Sequence, residues 1–409
     1  MAPKHFGKAF VIPRWSGWLV LITGDTLVDE LHQLPDDVLS LTHSAHDELQ
    51  ISYTMAPEVH SNPYHVPLLA AGLTRHLDHL TREILDEIIP AFNEVIGHRS
   101  EASSGWTEVN IVDGITQVMA RSFSRIIVGA PLCRDAEYNR LIRSFTVNNV
   151  MFMSSVIHIF PRVFRPIVGH VFSVVQNIRG RAVSRVLGPA IEERKLTMQS
   201  LSWSDEPNDV LSWLLHAAVG SERETRSLET RILAINAAAI HGTSLTFVQA
   251  LLALATHPTY VQPLKEEAER TLRKHGWTRT CMRNLPLMDS FFKESMRLYG
   301  IGSMGFPRKA LKPFMFSDGT VVPEGSMVSA AFTPHVDDRF YEDAKTFDPY
   351  RFPGRFLASH VLKALMLHIV LNYELKIGGD GHKKPDMWFG YHCSPNIRTT
   401  IAFRPVVDA

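Results

Sequence analysis

The chain lacks the residues on which several protein architectures depend. It has only three cysteines in 409 residues, Cys133, Cys281 and Cys393, and none stands in C-x-x-C spacing. This scarcity argues against a disulfide framework and a cysteine zinc site, and it favours a reducing compartment. An excess of charge of one sign is also missing, because Lys plus Arg and Asp plus Glu both number 42. Nothing in this balance attracts nucleic acid, so partners must be chosen by a local site.

The first residues lack a continuous apolar run. Residues 1–15 carry Lys4, Lys8 and Arg14, which fits neither a signal peptide nor a membrane anchor. We therefore expect no transmembrane anchor in this chain.

One long stretch lacks charge altogether. Residues 232–264 contain no Lys, Arg, Asp or Glu, and so resemble a membrane span. The same stretch carries polar residues such as Asn236, His241 and Gln249, which are costly in lipid unless they find partners. A helix through the middle of a protein core is the better interpretation.

Most of the remaining pattern is helical. Two short apolar runs at 9–13 and 18–23 predict strands, and Gly24-Asp25-Thr26 then predicts the capped start of a helix. Helical periodicity dominates from Val66 to about Gly220, and further helices are predicted at 231–256, 263–275, 288–299 and 355–371.

A small β portion follows these helices. Ser317-Asp318-Gly319 separates two short apolar runs and predicts a tight hairpin, and a loop-rich stretch then extends to Phe352. No internal repeat or low-complexity linker is visible. We predict a mainly α fold with a small β portion, and one domain spanning residues 1–409.

Two patterns are decoys. Gly300, Gly302 and Gly305 form G-x-G-x-x-G, but they follow a helix and precede Pro307, whereas a dinucleotide fingerprint follows a strand and opens a helix. The 20 histidines include no H-E-x-x-H pair, so no metal site is predicted from them.

A series of motifs near the C-terminus is more specific. Glu294 and Arg297 lie three residues apart on one helix face. Alone, such an E-x-x-R pair is usually a solvated ion pair. Here a hairpin follows it, and then the run Phe347-Asp348-Pro349-Tyr350-Arg351-Phe352.

This ordered series resembles the haem-thiolate cytochrome P450 monooxygenases, particularly fungal members that oxidise terpenoids and other secondary metabolites. The likeness extends over nearly the whole chain and includes Pro131-Leu132-Cys133-Arg134. It implies a cytochrome P450-like fold, a haem cofactor, and a structural lock formed by Glu294, Arg297 and Arg351. It also implies that Arg308 pairs with a haem propionate.

The charge-free helix fits the same family. There, A-[AG]-x-x-T on the distal side of the haem makes room for dioxygen and relays protons, and Ala238, Ala239 and Thr243 lie in the matching stretch. The best register places Gly242 at the relay position and Thr243 one residue later. Two interpretations of Thr243 and Ser244 stay open, a proton relay and a hydroxyl bonded back to the preceding turn.

The family pattern breaks after Phe352. In the family a loop F-x-x-G-x-x-x-C-x-G carries the cysteine that ligates iron. Here Phe352 is joined directly to Pro353-Gly354-Arg355, which resembles the end of that motif and the start of the next helix, where Arg355 contacts the cofactor. The ligand loop is therefore missing between Phe352 and Pro353. Cys393 follows this helix instead of preceding it, so we do not expect it to replace the ligand.

Two hypotheses follow. The first is a haem-dependent monooxygenase that oxidises an apolar, terpenoid-like small molecule with electrons from a reductase. The second is a catalytically dead truncated product or a haem-free binder of apolar ligands. We expect a location in the cytoplasm or at the surface of the endoplasmic reticulum. The apolar stretch 150–175, with Arg162 and Arg165, fits peripheral membrane contact and an ordinary core helix pair equally well.

Overall fold

The fold is described by a computed structural model that covers residues 6–14, 17–97, 105–200, 207–351 and 360–406. Helices dominate it. They are α1 (Asp25–Gln33), α2 (Leu41–Leu49), α3 (Ile51–Thr54), α4 (Pro57–Ser61), α5 (His65–Arg75), α6 (Leu77–Gly97), α7 (Ile111–Ile127), α8 (Ala136–Ser144), α9 (Met153–Ile159), α10 (Arg165–Ser200), α11 (Val210–Ala217), α12 (Thr225–Thr256), α13 (Val261–His275), α14 (Arg279–Arg283), α15 (Pro286–Tyr299) and α16 (His360–Asn372).

The strands are short and lie mostly at the two ends of the chain. They are β1 (Ala9–Arg14), β2 (Gly17–Ile22), β3 (Leu39–Ser40), β4 (Thr107–Asn110), β5 (Arg308–Ala310), β6 (Phe314–Met315), β7 (Val321–Val322), β8 (Met327–Ala330), β9 (Tyr373–Ile377), β10 (Met387–Phe389), β11 (His392–Ser394) and β12 (Thr400–Pro405). The prediction of a mainly α fold with a small β portion is confirmed.

The main sheet joins distant parts of the chain. Its strand order is β1-β2-β8-β5-β3, in which β2 and β8 run parallel and the other neighbours run antiparallel. A three-stranded sheet has the order β4-β12-β9, and β10 pairs with β11 in a separate hairpin. The sheets therefore bring the N-terminal strands beside the segments that follow α15.

Helix α12 runs through the hydrophobic core, as its charge-free sequence predicted. Of the described helices, it alone has the length and apolar composition of a membrane span, and most of that span is buried in the protein. Two of its buried polar residues find partners: the Asn236 amide donates to the Ile232 carbonyl at 2.9 Å, and the Gln249 side-chain oxygen accepts from Lys383 at 3.2 Å. Hydrogen bonds of this kind remove most of the cost of burying polar groups.

Several predicted elements are confirmed, and others differ in detail. The hairpin at Ser317-Asp318-Gly319 joins β6 to β7, and Gly319 has a φ of 84°, the left-handed conformation that glycine adopts without strain. Helix α1 begins where expected, but Gly24 precedes it and no side chain caps it. The helical periodicity expected from Val66 onwards is divided among several helices, of which α5 and α6 are the first two. The stretch expected to be loop contains β8.

The start of α15 shows how the sequence fixes a helix that matters for the site. Pro286 occupies the first turn, where a missing N–H costs nothing. The buried Glu267 carboxylate accepts from the backbone N–H groups of Leu287 and Met288 at 2.8 and 2.9 Å. Two of the helix's free donors are thereby satisfied, so its first residue is well defined.

Candidate functional site

The Glu294 and Arg297 side chains on α15 form a buried, two-pronged ion pair. Arg297 Nε donates to Glu294 Oε2 and Arg297 Nη2 donates to Glu294 Oε1, both at 2.7 Å. The side-chain exposure is 0% for Glu294 and 3% for Arg297. The alternative interpretation, a solvated ion pair on the surface of a helix, is therefore wrong for these two residues.

Arg297 also holds the loop that follows β8. Its Nη1 donates to the carbonyl oxygens of His335 and Ala344, the latter at 2.5 Å, and its Nη2 donates to the carbonyl of Thr346 at 3.3 Å. The guanidinium lies 4.8 Å from the centre of the Tyr341 ring. One buried cation thus connects α15 to three separate points of the loop.

Arg351 takes a weaker part in this lock than the family resemblance implied. Its Nε lies 3.7 Å from Glu294 Oε1, beyond hydrogen-bond distance. Its terminal nitrogens donate instead to the carbonyls of Glu342 and Asp343, the second at 3.1 Å. The backbone N–H of Asp348 occupies the nearer position, donating to Glu294 Oε1 at 2.8 Å.

Aromatic packing fixes the same loop on its other side. The Phe347 ring stacks on His257 at 4.8 Å and meets the edge of Phe291 at 5.3 Å between ring centres. Tyr260 donates its hydroxyl to the Phe347 carbonyl at 3.3 Å. The F-D-P-x-R segment is therefore clamped onto the ends of α12, α13 and α15.

The middle of α12 has an open face. Ala238 is exposed, and Ala239, His241 and Thr243 are half-buried, although the residues on either side along the helix are almost all buried. A Cβ built at Gly242 would meet no atom within 4 Å. The small residues of this turn therefore border open space, as expected for the wall of a ligand pocket.

The two hydroxyls of this turn behave differently. Ser244 is buried and donates to the Ile240 carbonyl at 2.7 Å, which is the back-bonding expected of a helical serine. Thr243 has no such hydrogen bond within the described part of the chain and lies half-exposed towards the open face. The role of Thr243 in proton transfer stays a prediction.

Arg308 lies in β5 with its side chain half-buried. Its neighbour Lys309 is paired with Asp47 at 2.7 Å. For the Arg308 guanidinium, the described ranges contain neither an ion pair nor a hydrogen bond. A half-buried cation without a counter-ion suits a site for an anionic group.

The three cysteines are all buried thiols. Burial raises the pKa of Cys133, Cys281 and Cys393 to about 11 in each case, with the charge of Glu87 or Asp386 adding to the effect at Cys133 and Cys393. Cys393 lies in β11, and its backbone N–H donates to the Ile301 carbonyl at 3.0 Å. None of the three lies in the segment 352–359 that directly precedes α16. Arg355, predicted to contact the cofactor, lies outside the described residues.

A contact that the sequence did not reveal secures α16. Lys363 Nζ lies 2.8 Å from Asp289 Oδ1, and both side chains are almost fully buried. The only available signal was a lysine within an otherwise apolar helical run. The pair attaches α16 to α15, and thus to the same helix as Glu294 and Arg297.

Comparison with known proteins decides the family. The cytochrome P450 family profile matches residues 65–397. This chain belongs to the cytochrome P450 family. Cytochrome P450 monooxygenase 151 of Postia placenta is 35% identical, with 97% of this chain and 86% of that protein covered. Cytochrome P450 monooxygenase CYP512U6 of Ganoderma lucidum is 30% identical, with 93% and 81% covered.

A solved structure agrees on the fold. Retinoic acid-bound cyanobacterial CYP120A1 matches with a TM-score of 0.67 and 15% identity, covering 98% of this chain and 93% of that one. At this identity the likeness establishes the cytochrome P450 fold alone. The expectation drawn from the motif series is confirmed in fold and family.

Membership of this family implies haem as cofactor, a small-molecule substrate and a reductase as source of electrons. The residues present fit the haem in part. The open turn of α12 suits the distal wall of a haem site. Arg308, which has no ion pair with any residue that the structure describes, suits a propionate. The iron ligand does not fit, because residues 352–359 contain no cysteine and the three thiols lie elsewhere with raised pKa values.

The relatives contain residues that this chain lacks. The match to the Postia placenta monooxygenase 151 is 434 residues long, although this chain has only 409. The alignment must therefore leave positions of the relative unmatched.

Proposed function

We propose that this chain keeps the substrate-binding half of a fungal monooxygenase and binds apolar, terpenoid-like molecules without oxidising them. The observation that carries the proposal is the contrast between the two sides of the site. The distal wall on α12 is open and lined by small residues, whereas residues 352–359, which directly precede α16, contain no cysteine. Oxidation in this family depends on the thiolate, but an apolar pocket depends only on the protein wall.

The missing ligand loop is proposed to lie between Phe352 and Pro353. Two observations support this position. The F-D-P-x-R segment ends at Arg351 with its lock contacts formed, and α16 begins again at His360 with family-type sequence before it. With the loop in place, the same scaffold would be the oxidising enzyme that works with a reductase. The monooxygenase is thus the second candidate function, and it applies to the form that carries the loop.

A carbon monoxide difference spectrum tests the first candidate. Protein purified after growth with added haem precursor should show no thiolate-type absorption band, because residues 352–359, directly before α16, contain no cysteine. Cys393→Ser serves as the matched variant, and it should leave the spectrum unchanged. A strong thiolate band that disappears in Cys393→Ser would make Cys393 the ligand and would overturn the proposal.

Peripheral contact with the endoplasmic reticulum membrane is part of the proposal. The segment from the end of α9 into α10 exposes apolar side chains at helical spacing, among them Val163, Ile167 and Val171, which are 82%, 64% and 60% exposed. Trp18, on β2, is 68% exposed, and the backbone of its neighbour Gly17 lies against the Arg162 guanidinium. Apolar side chains mixed with arginines favour the surface of an anionic bilayer.

Liposome flotation tests this contact. The protein should float with vesicles that contain anionic lipid, and Val163→Ser with Ile167→Ser should reduce the bound fraction severalfold. Val219→Ser is the control, because Val219 is equally exposed, at 77%, but belongs to another surface. Equal flotation of all three proteins would show that this surface does not hold the membrane.

A further inference from the structure

A cluster of polar side chains surrounds Glu48, and one of its members, His392, acts electrostatically on His241 of α12. Its centre is an ion pair between the ends of two elements. Arg14, the last residue of β1, donates from Nη1 to Glu48 Oε2 at 3.0 Å, and its Nη2 lies 2.9 Å from Glu48 Oε1. Tyr391, in the turn between β10 and β11, donates its hydroxyl to Glu48 Oε2 at 3.3 Å.

Three imidazoles complete the cluster. His158 on α9 lies with Nε2 3.0 Å from the Glu48 carbonyl oxygen. The His392 ring packs on the Tyr391 ring with 4.0 Å between centres, and His392 pairs across an isolated bridge with Gly302. His241 stands on the open face of α12, close enough for the charge of His392 to act on it. The cluster thus combines polar groups from β1, α2, α9, α12 and the β10–β11 hairpin.

The imidazoles are neutral at physiological pH. Burial lowers the pKa of His158, His241 and His392 below the ordinary value of 6.5, and the proximity of His392 lowers the pKa of His241 further. A neutral imidazole carries one donor and one acceptor. The ring nitrogens of His241 and His392 form no hydrogen bond within the described ranges, so both groups are available to a ligand.

The His158 ring has a nitrogen atom, Nδ1, that requires a hydrogen-bond donor. The Glu48 carbonyl can only accept, so Nε2 of His158 must carry the ring proton, and Nδ1 is then an acceptor. That Nδ1 atom is buried and has no partner among the described residues. Leaving such an atom unsatisfied is unfavourable, and a ligand O–H group would satisfy it.

We propose that this cluster binds the hydroxyl group of an otherwise apolar substrate, with His392 and His158 as specificity-determining residues. The inference rests on the proposed function, since it assumes that α12 borders the pocket for an apolar molecule. A hydroxyl-binding site narrows the substrate class to neutral alcohols. Such a site should bind alcohols more tightly than hydrocarbons or carboxylic acids of the same skeleton.

The charges of the cluster disfavour a carboxylate. Arg14 is already neutralised by both oxygens of Glu48, so this pair offers no net positive charge to a second carboxylate. Arg165, which also acts on His158, is half-buried and donates to the backbone carbonyls of Phe160 and His158 at 3.0 and 3.4 Å. A neutral hydroxyl can donate and accept without adding charge.

Three probes with one carbon skeleton test the proposal: farnesol, farnesene and farnesoic acid. Their dissociation constants are measured by quenching of tryptophan fluorescence on the full chain as purified, so the readout requires no haem. Farnesol should bind about 3- to 10-fold more tightly than farnesene, as one or two hydrogen bonds would produce. Farnesoic acid should bind more weakly than farnesol at pH 7.5.

Variants assign the effect to the cluster. His392→Phe keeps a ring against Tyr391 but removes the nitrogens, and it should abolish the preference for farnesol while leaving farnesene binding unchanged. His158→Phe should act in the same direction and provides a second variant if the first is unstable. His382→Phe is the matched control, because His382 is exposed in the loop before β10 and should change nothing.

The outcomes distinguish failure of the hydroxyl site from failure of the apolar pocket. Equal binding of farnesol and farnesene, unaffected by His392→Phe, would overturn the hydroxyl site and leave the apolar pocket standing. Tighter binding of farnesoic acid than of farnesol would also overturn it, in favour of a cationic site. Saturable binding of none of the three would overturn the proposed function together with this inference.

Discussion

Replacing Arg297 with alanine should be among the most destabilising single changes on this scaffold. The substitution would leave the Glu294 carboxylate with 0% exposure and without its two hydrogen bonds of 2.7 Å. What remains is the Asp348 N–H at 2.8 Å and the Arg351 Nε at 3.7 Å. Three backbone carbonyls of the loop after β8 would also lose their donor.

The expected loss of stability follows from leaving a buried carboxylate without its ion-pair partner. Breaking a buried ion pair by removing one partner costs about 3 to 5 kcal/mol, and the fork geometry of this pair places it near the upper end. Arg351→Ala removes two hydrogen bonds to carbonyls and a long ion pair, so about 1 to 2 kcal/mol is expected. Arg339→Ala removes an ion pair with Asp337 at the surface and should have no measurable effect.

Urea unfolding followed by far-ultraviolet circular dichroism measures these differences. The Glu294→Gln/Arg297→Ala double variant should be more stable than Arg297→Ala alone, because it removes the stranded charge. A second check is proteolysis, since loss of the clamp should speed cleavage in the loop that contains His335 and Ala344. Equal stability of Arg297→Ala and Arg339→Ala would refute the view that this pair holds the loop.

Two further predictions follow from other contacts. The His368 ring is fixed as neutral between Asn93 Oδ1 at 3.0 Å and the Asn372 amide at 3.1 Å, and burial lowers its pKa from 6.5 to about 4. The unfolded chain therefore takes up this proton first as the pH falls, so roughly 2 to 3 kcal/mol of stability should be lost between pH 6.5 and 4. Urea titrations at several pH values measure this loss, and an equally steep loss in His368→Gln would assign it elsewhere. Insertion of a family-type F-x-x-G-x-x-x-C loop between Phe352 and Pro353 should restore haem uptake with a thiolate spectrum, while the same insert with serine for cysteine should not give that spectrum. A folded insertion protein that takes up no haem would place further damage in the distal site.

Sequence patterns predicted the parts of the fold in which local signals agree with tertiary packing. Helix α12 could be recognised because a charge-free run with a few polar residues fits a core helix and little else. The β6–β7 hairpin was predictable because Gly319 supplies a backbone conformation that the turn requires. Strand β8 was missed because its four residues acquire strand character from their neighbours β2 and β5 rather than from their own pattern.

The site was predictable where family motifs are contiguous and unpredictable where distant elements meet. Glu294 and Arg297 are three residues apart, so their pairing is a local property of one helix. Arg351 was expected to form the lock together with Glu294 and Arg297, but the backbone N–H of Asp348 takes the nearer position on Glu294. The cluster around Glu48 joins residues more than 300 positions apart, and no spacing in the sequence could indicate it.

Contacts on both sides of the junction between Phe352 and Pro353 involve the same helix, α15. On the N-terminal side, Arg297, Phe347 and Asp348 hold the loop against α15 before Phe352 is reached. On the C-terminal side, α16 is held to the same helix by the Lys363–Asp289 pair. Both flanks are therefore attached to α15. We accordingly propose that a chain without the ligand loop loses the chemistry of the cofactor but keeps these contacts, so that it binds an apolar ligand without oxidising it.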